Sequence, residues 1–153
     1  MSIPVGLALH PAHLISELKT RRMDSVLGEI SQQARRSGAV FEPDLLRATL
    51  LLRERLGSTA LGRGVAVPNA RSLVVLRRAV LVGRSRAGLD WGARDGGPVH
   101  LVLLVLSPAG ARAAEHLASV ARVVAAAHPA RVRQRLLECA PEQVTAWLQG
   151  VLA

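Results

Sequence analysis

The chain has 153 residues, half of them apolar and 20% charged, which supports a single packed core and excludes a disordered segment. A formal net charge of +9 favours acidic partners. The arginines are scattered, however, with only Arg21-Arg22, Arg35-Arg36, Arg77-Arg78 and the series Arg131, Arg133, Arg135 clustering. No basic run is interleaved with aromatics, which argues against nucleic acid.

Met23, Val26, Leu27, Ile30 and Ala34 recur at helical spacing and predict a first helix, with Gly38 as its stop. Pro43 sits where a second helix can begin, because its missing N–H costs nothing there. Leu45, Thr49, Leu52 and Leu56 line one stripe of that helix. Gly57, Gly62 and Gly64 then mark a tightly turned loop. Residues 65–67 and 79–83 read as short strands, and residues 99–106 as a longer one. The last has almost no alternation, as expected of a strand covered on both faces. Gly88, Gly92, Gly96, Gly97 and Pro98 supply the turns between them. Ala113, Leu117, Val120, Ala121 and Val124 form a stripe on a further helix. Pro129 and Pro141 each open another, with Val132 and Leu136 inward on one and Val144, Trp147, Leu148 and Val151 on the other. Residues 5–9 allow an additional first strand.

Helices before and after a cluster of strands predict a three-layer α/β/α fold, a mixed central sheet flanked by helices. One domain over residues 1–153 is expected. The single cysteine, Cys139, excludes an internal disulfide and fits a reducing compartment. The N-terminus lacks the positive region of a signal peptide. The longest apolar run, residues 101–106, is far short of the ~20 residues a membrane helix needs. A cytoplasmic protein without membrane insertion is expected. His10, His13, His100 and His128 show no metal-ligand spacing and read as surface or loop residues. Neither a metal nor a cofactor is expected.

The informative stretch runs from Arg53 to Arg71: R-E-R-L-G-S-T-A-L-G-R-G-V-A-V-P-N-A-R. Physically it is a helix end, a Ser-Thr-Gly loop, a short strand and a Pro-Asn turn. Ser58 and Thr59 offer hydroxyls, the glycines let backbone N–H groups approach a ligand, and Arg53 and Arg71 add positive charge. Such a loop can cradle a phosphate, or it can be a structural turn.

This stretch resembles the signature of the type-2 IIA domains of the phosphotransferase system, the fructose, mannitol and nitrogen-regulatory family. That signature reads R-E-x-L-G-S-T-x-[IL]-G-x-G-[VI]-A-[VI]-P-H-[GA]-R, and every fixed position matches except the histidine, which is Asn69 here. Gly88-Leu89-Asp90-Trp91-Gly92-Ala93, continuing through Asp95-Gly96-Gly97-Pro98-Val99, resembles a second family block. Glu115-His116-Leu117 resembles a third. The resemblance runs from about residue 20 to the end of the chain.

In that family the histidine accepts a phosphoryl group from a carrier protein and passes it to a IIB domain. The resemblance places Arg53 and His116 beside the phosphoryl group, with Ser58 and Thr59 in the loop facing it. Asn69 alters this chemistry, because an amide nitrogen has no available lone pair. It can keep a histidine's hydrogen bonds but not its nucleophilicity. No catalytic residue is therefore intact, while an anion pocket of Arg53, Ser58, Thr59, Asn69 and His116 is retained. The expected function is a non-phosphorylatable regulatory or interaction domain. Its partner would be a phosphotransferase-type carrier, a IIB-like domain, or a regulated transporter or kinase. Two alternatives stay open: a working phosphocarrier, for instance through His116, and an anion or small-ligand sensor using the vacant phosphate pocket.

Overall fold

The computed structural model describes residues 13–152; the strand considered over residues 5–9, and His10, lie outside them. The order is β1 (Leu14–Ile15), α1 (Met23–Arg36), α2 (Pro43–Leu56), β2 (Ala60–Gly62), β3 (Val65–Ala66), β4 (Asn69–Ser72), β5 (Ala79–Leu89), β6 (Val99–Pro108), α3 (Ala113–Ala127), α4 (Ala130–Glu138) and α5 (Pro141–Leu152). The strands form one mixed sheet, ordered β1-β5-β6-β3-β2, with β4 also paired to β6. Helices α1 and α2 cover one face and α3 to α5 the other, giving the expected α/β/α layers. Among the described residues no helix is long and apolar enough to cross a membrane.

Strand β6 explains its own lack of alternation. Leu101, Leu103 and Val105 pack into the core beneath α3 to α5, while Val102, Leu104 and Leu106 pack into the core beneath α1 and α2. Both faces are dry, so both parities must be apolar. β5 pairs antiparallel along one edge of β6. On the other edge β3 and β4 pair parallel, one after the other, so that Val65 opposes Leu101 and Asn69 opposes Val105. Pro68 interrupts that edge because it has no N–H, yet its carbonyl still accepts the Val105 N–H at 3.0 Å. The predicted Pro-Asn turn is thus a continuation into a fourth strand, and the predicted 79–83 strand extends to Leu89.

Two helices are rotated relative to their most obvious apolar stripe. In α2 the buried residues are Pro43, Leu46 and Leu50. The Leu45–Leu52–Leu56 stripe faces solvent, with Leu56 86% exposed. A Leu-rich helix carries more than one candidate stripe, and its pairing with α1 selects the one that closes the core. In α3 the buried residues are His116, Ser119, Val123 and Ala127, whereas Leu117 is exposed. On α4, Leu136 is buried, and on α5, Val144 and Leu148 are, as their spacing requires. The histidine expectation also needs correcting. His13 is buried, not at the surface, though it precedes the first strand; His100 lies on β6 with its Nδ1–H donating to the Ser85 carbonyl at 2.8 Å, so it belongs to a strand and not to a loop.

Truncation of the two leucine sets should separate them. Leu50→Ala should cost about 2–5 kcal/mol in denaturant unfolding, whereas Leu52→Ala should stay within about 0.5 kcal/mol of the unaltered chain.

Candidate functional site

Strand parity brings the site together. Val65 and Val67 face α3 to α5, and so, two residues further, does Asn69. On the neighbouring strand Leu101, Leu103 and Val105 face the same way, and so does Ser107. The central buried position near the start of α3 is His116. Three side chains from three elements therefore converge where the C-terminal end of the sheet meets α3.

Their hydrogen bonds fix one another's orientation. Asn69 Nδ2–H donates to the Val67 carbonyl at 3.3 Å, and a carbonyl can only accept, so the amide oxygen points the other way. That oxygen lies 3.0 Å from His116 Nε2, which must therefore carry the proton and donate. The neutral ring then has its lone pair on Nδ1, and Ser107 Oγ–H donates to it at 2.7 Å. Ser107 is wholly buried. The neutral ring is also favoured electrostatically: burial first, then the positive charges of Arg71 and Arg78, push the His116 pKa below its ordinary value.

Both arginines are themselves anchored. Arg71 Nη1 donates to the carbonyls of Ala109 and Ala111, at 3.2 and 2.9 Å, and so ties β4 to the loop before α3. Arg78 pairs with Glu115 in the first turn of α3, where a carboxylate also suits the positive end of the helix. These contacts hold the start of α3, and with it His116, against the sheet.

The remaining sequence-predicted residues form the adjoining loop. Arg53 Nη1 donates to the Gly57 carbonyl at 2.9 Å, and Ser58 Oγ accepts the Ala60 N–H at 3.1 Å. The Glu54 carboxylate accepts from the Thr59 backbone N–H at 3.1 Å, from the Thr59 hydroxyl, and from Trp91 Nε1 at 3.3 Å. This loop connects to Asn69 through the backbone: Val67 N–H donates to the Thr59 carbonyl at 3.0 Å, and Val67 in turn accepts from Asn69. Asn69 and His116 are thus in direct contact. The side-chain hydrogen bonds of Arg53, Ser58 and Thr59 instead stay within the 53–60 segment. Arg53 and Ser58 remain exposed beside the site.

Sequence reasoning passed over Ser107, Arg78 and Glu54. Ser107 is signalled only by being a hydroxyl at the end of an otherwise apolar run. Arg78 stood out only as half of a charge pair, and Glu54 only as a letter of the signature.

A mixed sheet between two helical layers, with a polar cluster where its parallel strands end, defines the molecule as an α/β protein with a polar site at that end of the sheet. The family profile described as phosphoenolpyruvate-dependent sugar phosphotransferase system, EIIA 2, matches residues 9–150. The chain belongs to that family. It is 34% identical over 126 residues to the nitrogen regulatory protein of Bradyrhizobium diazoefficiens, covering 79% of this chain and 78% of that protein. It is 29% identical over 142 residues to the fructose-specific EIIABC component of Bacillus subtilis, covering 93% of this chain but only 22% of that longer protein. The nitrogen regulatory protein IIA-Ntr of Neisseria meningitidis superposes with a TM-score of 0.82 at 25% identity, over 95% of this chain and 96% of that one. Its kinship is therefore with nitrogen-regulatory and fructose-type EIIA domains.

The His116 environment has a consequence for pH. The native state favours the neutral ring, so as pH falls below about 6.5 the unfolded chain takes up the proton first. The stability contributed by neutral His116 is complete above that pH and is lost as pH falls toward the depressed native value. Urea unfolding from pH 7 to pH 5 should show a steeper loss for the unaltered chain than for His116→Gln; parallel losses would contradict the assignment.

Proposed function

We propose that this chain is a regulatory docking form of the EIIA domain, acting in the cytoplasm and engaging a protein partner without itself carrying a phosphoryl group. The observation that carries this reading is the 3.0 Å hydrogen bond between Asn69 Oδ1 and His116 Nε2. Asn69 falls at the acceptor position of the signature the sequence resembles. Its amide nitrogen shares its lone pair with the carbonyl and offers phosphorus no nucleophile. His116 is a poor substitute. In its favoured tautomer the only ring lone pair is on Nδ1, which is occupied by the buried Ser107 hydroxyl. Phosphorylation there would require breaking that contact and opening the core behind it.

Exposed leucines support a docking role for the same end of the molecule. Leu56 precedes Ser58 and Thr59, Leu73 follows β4, and Leu117 follows His116; Leu56 and Leu73 are 86% and 83% exposed. Large apolar side chains left exposed next to residues of a polar site suit an interaction surface. Arg53 lies on this side and the chain carries +9 overall, so a partner with an acidic rim is favoured. Arg53, Ser58, Thr59, Asn69 and His116 would then read the partner's surface instead of a transferred phosphoryl group.

Incubation with labelled phosphoenolpyruvate and the upstream carrier proteins should leave the native chain unlabelled. Asn69→His should become labelled, because the rest of the pocket is retained. An acid-labile phosphohistidine on the native chain would overturn the proposal. Partner capture by the native chain should weaken at least tenfold in Leu117→Glu and in Arg53→Ala, and binding unchanged in both would remove this face from the interface.

A second reading, anion binding beside His116, is favoured by the positive potential that Arg71 and Arg78 impose there. Thermal shift against phosphate and phosphosugars tests it, since ligand at ~100 times its dissociation constant adds ~2.7 kcal/mol. No shift would exclude it.

A further inference from the structure

The face of the sheet that carries Asn69 also carries a second polar centre at its opposite end. Val80 and Val82 on β5 face α3 to α5, and Arg84 continues that parity. Arg84 opposes Leu101, six residues before Ser107 on β6, which puts it roughly 20 Å from the Asn69 cluster at strand rise. His100 is turned to the same side by a bulge. The N–H groups of His100 and Leu101 both donate to the Gly64 carbonyl, at 2.8 and 3.0 Å, so Val99 and Leu101 pack into opposite cores.

Arg84 and His100 line a cavity of about 870 Å³ with Ser16, Glu17, Ser85, Arg86 and Glu138 among its walls. Its size lies within the usual range for small-molecule sites. Arg84 is only 8% exposed. Of the five N–H groups of a guanidinium, four are spent on neutral acceptors: the Ser16 carbonyl, Ser16 Oγ, and the Leu136 and Cys139 carbonyls. One Nη2–H is left over. Among the described residues no carboxylate lies within ion-pair distance of Arg84. The C-terminal end of α4 supplies at most roughly half an elementary charge in compensation. A buried guanidinium without a full counter-charge is costly, and the cavity is where an anionic group can reach it.

The other walls narrow the ligand further. Ser16 Oγ and Ser85 Oγ each accept a hydrogen bond, from Arg84 and from the Gly88 N–H, and keep their own hydrogens to give. With Arg84 and Arg86 they form a donor set suited to a carboxylate. His100 spends its Nδ1–H on the Ser85 carbonyl, which leaves Nε2 as an acceptor on the neutral ring. Glu17 and Glu138 are acceptors as well. The lining thus has two cations and two carboxylates, with Leu137 and Pro141 as apolar wall. A ligand complementary to it has one carboxylate, one ammonium group and an overall charge of zero.

We propose that this cavity binds a free α-amino acid, its carboxylate on Arg84 and the serine hydroxyls, its ammonium toward Glu17, Glu138 and His100 Nε2. The site is separate from Asn69 and does not depend on the docking role proposed there. An EIIA domain so equipped would carry a small-molecule input on the far end of the same sheet face.

The chain's only cysteine provides a reporter, because Cys139 is a free thiol in the wall of this cavity. The rate of its reaction with a disulfide reagent should be measured against a panel of the standard amino acids at millimolar concentration. At least one should slow labelling about tenfold when present at ten times its dissociation constant. Protection should fall at least tenfold in Arg86→Glu, an exposed position whose reversal repels the carboxylate without disturbing the core, and should persist in Leu52→Ala. The proposal is overturned if no amino acid protects Cys139, if acetate or sulfate protects it equally well, or if Arg86→Glu leaves protection unchanged.

Discussion

Strand β6 has no solvent-facing side, and the placement of everything else follows from that. Its two edges are taken by β5 on one side and by β3 and β4 on the other, and its two faces are packed under helices. A strand so enclosed fixes register tightly, because a shift by one residue would drive Ser107 into the α1–α2 core and an apolar neighbour into its place. Ser107 is the one polar side chain on the part of β6 that is buried throughout, residues 101–107. Its hydroxyl is satisfied by the His116 ring, and the ring by Asn69. The polar cluster is therefore a product of the core's own need to pair a buried hydroxyl.

That pairing also explains how an asparagine fits in this setting. The amide has a donor on one side for the Val67 carbonyl and an acceptor on the other for the His116 Nε2–H. A charged or purely apolar residue would leave one of these unmatched. Burial first, and then Arg71 and Arg78, each anchored to the start of α3, push the His116 pKa below its ordinary value and so favour the neutral ring. Under the proposed reading, this cluster would serve recognition around a position that lacks a nucleophile. On the proposed reading, the exposed Leu56, Leu73 and Leu117 would supply apolar area for a partner.

The fold was legible from unbroken or regularly spaced apolar runs. Residues 99–106 announced a doubly buried strand, and Met23 to Ala34 announced α1, because a single arrangement satisfied each pattern. Helices α2 and α3 were less legible. Leucines are plentiful enough in α2 for two stripes, and only its packing with α1 chooses Leu46 and Leu50 over Leu45 and Leu52. In α3 the most buried face includes His116 and Ser119, so a search for apolar period alone leaves the helix turned off its true face, with Val120 and Val124 at the edge of the core and Leu117 exposed. The polar residue breaks the pattern because it belongs to the site. Strand β4 was hidden by Pro68, which reads as a turn locally but costs only one ladder hydrogen bond beside β6. The Asn69–His116 contact was implied by family signature, whereas Ser107 and Arg84 came from strand parity, which shows only once the register is known.

The arrangement stands or falls with the protonation of one ring. Two-bond proton–nitrogen correlation spectra of the 15N-labelled protein at neutral pH report which nitrogen of His116 carries hydrogen. The expected result is a neutral ring protonated at Nε2, with Nδ1 showing the shift of a hydrogen-bonded acceptor, and loss of that single tautomer in Asn69→Ala. A ring protonated at Nδ1, or an imidazolium at pH 7, would contradict the proposed network and the docking role built on it.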